Sequence, residues 1–131
     1  MKKKILVVVA DYYKDISADL TILTKAVLLK NKLKNDWIIV PGVFEIPVVI
    51  SKNIKKYEAF IALGCVIKGE TPHFDFISKA AIDGIMKLSI DHKKPIGNGI
   101  ITCLNKDQAI VRSKTKGQEA AQAIISVLSQ K

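Results

Sequence analysis

The chain has 131 residues, 49% of them hydrophobic, and a formal charge of +9 at pH 7. That is enough chain for one domain, residues 1–131, around a single continuous core, and too apolar for a disordered tail. No apolar run approaches the length that spans a bilayer.

The opening residues MKKKILVVVADYY imitate a secretory signal, with basic residues followed by apolar ones. The apolar part, Ile5 to Ala10, stops at Asp11, and no small-residue cleavage site follows. A first β-strand and a cytoplasmic protein are expected. Next, Ile16, Leu20, Leu23 and Val27 recur at helical spacing. WIIV, Trp37 to Val40, reads as a second strand and PVVISKNIKK as a crossover helix. AFIALGCVI, Ala59 to Ile67, is the third strand, followed by a helical face of Ile77, Ala81, Gly84 and Leu88. GIITCL, Gly99 to Leu104, is the fourth, and Ala120, Ala121, Ile124 and Leu128 line the last helix.

The strand runs are continuous rather than alternating, the pattern of strands covered on both faces. Alternating with helices, they predict an α/β fold: a three-layer α/β/α sandwich on a four-stranded parallel sheet, flavodoxin-like, with right-handed crossovers. Ligands of such sheets bind beyond the carboxyl ends of the strands. The unusual residues gather there: DYYKD after the first run, PGVFEIP after the second, KGETPHF after the third and NKDQAIVR after the fourth.

Each junction has a plain structural reading and a chemical one. In KGETPHF, Thr71 suits an N-cap and Pro72 the first helical position, so the stretch is at least a capped helix start. The amides of Glu70 and Thr71, the Thr71 hydroxyl and the helix's positive end also form an anion seat. His73 lies in the first turn, where a neutral, proton-accepting imidazole is favoured. In PGVFEIP, Glu45 either complements a helix dipole or accepts hydrogen bonds from ligand hydroxyls, beside Val43 and Phe44. Tyr12 could stack on a flat heterocycle, although, taken alone, rim or core packing is the preferred reading. Arg112 is the only arginine in a lysine-rich chain, as expected where a planar fork must grip a phosphate or carboxylate.

The two cysteines, Cys65 and Cys103, lie inside apolar runs with no Cys or His at ligand spacing. Buried thiols are expected and a zinc site is not. The lysines are scattered over element ends and turns without aromatic interleaving, so the positive charge points to solubility rather than to nucleic acid or a membrane. A signalling receiver domain shares the alternating architecture, but the third junction lacks the aspartate it would phosphorylate.

PGVFEIP, ALGCVIKGETPHFDFIS, PIGNGIIT and NKDQAIVR, in this order, resemble the lumazine synthase family of riboflavin biosynthesis over essentially the whole chain. The resemblance implies condensation of 5-amino-6-(D-ribitylamino)uracil with 3,4-dihydroxy-2-butanone 4-phosphate. The product is 6,7-dimethyl-8-ribityllumazine, with loss of phosphate and water and with no metal or other cofactor. It matches Tyr12 to the aromatic that stacks on the pyrimidine and Val43, Phe44 and Glu45 to the ribityl-binding segment. Cys65, Val66 and Ile67 match the backbone reading the ring's polar edge. Glu70, Thr71, Arg112 and Lys116 match phosphate-binding positions, and His73 the proton-transfer residue. Asn98 falls where the family reaches into a neighbouring subunit's site, so a homo-oligomer with sites between subunits is implied. A flavin- or lumazine-binding relative without catalysis is the alternative.

The chain departs from the family pattern at several positions. Asp11-Tyr12-Tyr13 stands where Arg-Phe-Asn is common, Lys68 replaces a frequent Arg, and Leu104 replaces a frequent acidic residue. The segment after Arg112 is shorter, and the N-terminal arm is almost absent. Since that arm and loop help the family's pentamers join into shells, a pentamer that builds no shell is expected.

Overall fold

The structure is a computed structural model and describes residues 4–130. Lys2 and Lys3, the first lysines of the opening basic run, lie outside that range. Four strands, β1 (Lys4–Ala10), β2 (Lys34–Val40), β3 (Ala59–Ile67) and β4 (Ile96–Cys103), alternate with α1 (Lys14–Lys30), α2 (Ile46–Asn53) and α3 (His73–His92). Two helices, α4 (Lys106–Ser113) and α5 (Lys116–Leu128), complete the chain. The sheet is wholly parallel in the order β2-β1-β3-β4.

Alternation along the strands divides the core in two. Ile5, Val7 and Val9 of β1, with Ile61 and Leu63 of β3, face α1, α4 and α5. Leu6 and Val8, with Phe60 and Ala62, face α2 and α3. Apart from Lys4 at the start of β1, both inner strands therefore carry no charged side chain, as the expected α/β/α sandwich requires. Phe60 is completely buried, and one such ring contributes roughly 1.5–3 kcal/mol by burial.

The edge strands differ from expectation in their bounds. β2 begins at Lys34 rather than Trp37, and its first residues pair with β1 in the register Lys4↔Lys34, Asn35 with Ile5 and Asp36 with Leu6. An edge strand half open to water needs no apolar run, so the polar start hid it. β4 begins at Ile96 and ends at Cys103 rather than running from Gly99 to Leu104. A Cβ at Gly97 would run into the Ala120 carbonyl oxygen. The glycine lets α5 lie against the strand.

The buried face of α1 is also rotated. Ser17, Thr24 and Leu28 are buried with Ile16 and Leu20, while Leu23 and Val27 are only half-buried. At Gly117 of α5 a Cβ would come within 2.6 Å of the Leu20 carbonyl and 2.8 Å of Thr24 Oγ1. Two helices this close favour small side chains over leucine at the contact.

Candidate active site

The strand order places a switch point between β1 and β3. From β1 the chain crosses to β2 by way of α1 on one face, and from β3 it crosses to β4 by way of α3 on the other. The crevice between two such departures is where open parallel sheets hold ligands. A cavity of about 480 Å³ lies there, bordered by the exits of β1, β2 and β3.

Its walls come from three junctions. Tyr12 and Tyr13 follow β1, and Gly42, Val43, Phe44 and Glu45 follow β2. Cys65, Val66 and Ile67 end β3, and His73 and Ile77 come from the first turns of α3. Eight of the residues singled out from the sequence therefore meet around one cavity. Tyr12 is 74% exposed and Phe44 59% exposed, so Tyr12 is not a core residue. Two large rings left in water at a cavity mouth are suited to a flat ligand.

The β2 exit turns sharply into a 3-10 turn, Val43–Glu45, running straight into α2. The Glu45 carboxylate folds back over Gly42, where a Cβ would sit 3.1 Å from its Oε1. The α3 start differs by one residue from expectation. Pro72 is the cap residue, with φ −70° and ψ 3°, and His73 is the first helical residue. The ring fixes φ, but ψ lies outside the helical range, so helical geometry begins one residue later. Thr71 still serves the helix end: its Oγ1 accepts from the His73 backbone N–H at 3.4 Å. Glu70 and Thr71 are exposed, and their own amides make no hydrogen bond among the described residues.

The remaining predicted residues lie away from this lining. Asn98 is exposed on edge strand β4, its Oδ1 accepting from the Ile100 N–H at 3.0 Å. Arg112 is exposed in the last turn of α4 and forms no ion pair among the described residues. Lys116 opens α5 and is half-buried. Within a single chain these three do not join His73 at the cavity.

Three lining residues escaped the sequence reading as site residues. Ile77 stands one helical turn beyond His73, so the i, i+4 spacing was the available signal. Gly42 was read only as part of the PGVFEIP junction, and Tyr13 only as a departure from a family pattern. Tyr13 is half-buried against the core, and burial, with the Cys65 thiol next, pushes its phenol above the ordinary value. Cys65 and Cys103 are both buried and unpaired. Burial, then the neighbouring Cys103, pushes the Cys65 thiol up to about 12, so it lines the cavity as a neutral group.

Among the described residues there is no cluster of metal-ligating side chains and no helix long and apolar enough to cross a membrane.

The sequence matches the family model for 6,7-dimethyl-8-ribityllumazine synthase over residues 2–131. Proteins of that name are similar to it along most of their length. The one from Beijerinckia indica subsp. indica is 35% identical over 132 residues, covering 95% of this chain and 73% of the relative. That from Corynebacterium kroppenstedtii is 36% identical, covering 93% and 80%, and that from Bartonella bacilliformis 38%, covering 97% and 89%. With a family match spanning nearly every residue and a cavity at the switch point of the expected sheet, the chain belongs to the 6,7-dimethyl-8-ribityllumazine synthase family.

Proposed function

We propose that the chain, as one domain over residues 1–131, catalyses a step of riboflavin biosynthesis as a transferase. It condenses 5-amino-6-(D-ribitylamino)uracil with 3,4-dihydroxy-2-butanone 4-phosphate to 6,7-dimethyl-8-ribityllumazine, releasing phosphate and water. Membership of the family supports the reaction. The observation that carries the site is the meeting of Tyr12, the Val43–Glu45 turn, the end of β3 and His73 around one cavity.

Each wall has a task in this reading. Tyr12 stacks on the pyrimidine, and the backbone of Cys65, Val66 and Ile67 reads its polar edge. Val43, Phe44 and Glu45 hold the ribityl chain, with the Glu45 carboxylate accepting from its hydroxyls. The open amides of Glu70 and Thr71 receive the phosphate at the start of α3. His73 carries protons during imine formation, phosphate elimination and ring closure, since each step moves a proton to or from nitrogen or oxygen. Much of the acceleration comes from holding the two substrates in register.

Arg112, Lys116 and Asn98 reach the site from a neighbouring copy. Their absence from the cavity lining of their own chain supports this division, and so do the apolar side chains left in water on the α2–α3 side, Val48, Phe76, Met86 and Ile90. A ring of identical subunits would cover such surfaces and give every subunit the same two neighbours. The assembly is a cytoplasmic pentamer, and sedimentation as a monomer would contradict it.

The test is direct. Purified protein mixed with both substrates should generate lumazine absorbance and inorganic phosphate together. Tight binding of product with no turnover would contradict the reading.

A further inference from the structure

We propose that Tyr13 is a positioning residue for the pyrimidine substrate, holding the Tyr12 ring across the cavity mouth and being held in turn by Lys106 of α4. The inference rests on the function proposed above and assigns a role to the second tyrosine of the β1 exit.

Tyr12 and Tyr13 meet edge to face, with ring centroids 4.9 Å apart and planes at 82°. Tyr12 has no other ring partner among the described residues, and at 74% exposure little else limits its rotation. Tyr13 is better anchored. Its ring is packed against the core, and its carbonyl accepts from the Ser17 N–H at 2.9 Å in the first turn of α1. The Lys106 ammonium lies over the Tyr13 ring, 5.4 Å from its centroid. Lys106 is itself fixed by Asp15, 3.1 Å away. The two tyrosines belong to the β1–α1 connection and Asp15 to the first turn of α1, whereas Lys106 opens α4. The contacts thus run from an acid in α1, through a lysine in α4, to a half-buried ring and on to the exposed ring at the mouth.

The physical consequence is preorganisation. A free aromatic side chain loses rotational freedom when a ligand stacks on it, and that loss weakens binding. A ring already held edge-on by a neighbour has less freedom to lose, and edge-to-face contact is a favoured aromatic geometry. The Tyr13 ring, rather than its hydroxyl, supplies this support. Asparagine, common in the family at this junction, has no ring and cannot supply it.

Steady-state kinetics with both substrates test the proposal. Tyr13→Leu, which keeps apolar volume against the core, is expected to raise KM for the ribitylaminouracil about three- to tenfold, the scale of one edge-to-face contact. The kcat and the KM for the butanone phosphate should stay within about twofold. Tyr13→Phe should restore the uracil KM, and Tyr13→Asn should behave like Leu, which also covers the case of a Leu variant that does not fold. In a Tyr12→Ala background, Tyr13→Leu should add no further loss, because the second ring acts through the first. An unchanged uracil KM in Leu and Asn, an equal loss in Phe, or an additive loss in the double variant would each overturn the proposal. Absence of lumazine formation by the unmodified protein would instead overturn the proposed function.

Discussion

Val43 rests on Gly64. A Cβ on that glycine would lie 2.7 Å from Val43 Cγ2 and 3.1 Å from the Ala10 Cβ. The 3-10 turn that carries Phe44 and Glu45 therefore sits flush on β3 because β3 lacks a side chain there. Gly64→Ala should push the turn outward, with an overpacking cost of about 1–3 kcal/mol, and raise KM for the ribityl substrate. Denaturant unfolding and kinetics check both effects. A variant of unchanged stability and KM would mean that the turn is not seated by this contact.

His73 is the histidine that lines the cavity, whereas His92 is exposed at the far end of α3. His73→Ala should lower kcat by ~10²-fold, the usual scale for one general acid–base group, with little change in KM for either substrate. Turnover at the unmodified rate would remove His73 from proton transfer.

Arg112→Lys keeps the charge but loses the planar fork. Titration of the variant should show a loss of affinity for the butanone phosphate far larger than for the uracil. Equal losses for the two ligands would argue against a phosphate role.

Cys65 borders the cavity yet should be chemically quiet. Its thiol is pushed from 9.0 up to about 12, by burial first and by Cys103 next. At pH 8 a disulfide reagent should label it slowly in the folded protein and rapidly after unfolding. The sign follows for stability as well. The folded state keeps the thiol protonated, so this contribution is intact below about pH 9 and is lost as pH rises toward 12. Rapid labelling of the native protein at pH 8 would contradict the burial of the group.

How much of this was legible in the sequence depends on the physics of each element. β1 and β3 are inner strands, apolar on both faces, and their bounds were readable to within a residue. β2 and β4 are edge strands, and there the apolar run was shorter than the pairing. Lys34 to Asp36 pair without being buried, and Gly97 is a strand residue against which α5 packs. The burial of Thr24 could not be read from helical periodicity, because it depends on how closely α5 approaches at Gly117. Among the site residues, those leaving β1, β2 and β3 were legible because the sheet rule sends them to one place. Arg112, Lys116 and Asn98 lie elsewhere on the same chain, and a sequence carries no geometry between copies.

The central claim is that the working site is completed by a second subunit. It is tested most directly by mixing two impaired variants, His73→Ala and Arg112→Ala, under conditions that let subunits exchange. In a ring with one site per interface, a 1:1 mixture should recover about a quarter of the unmodified turnover, since random pairing gives that share of sites both intact residues. Turnover that stays at the average of the two variants alone would contradict the account.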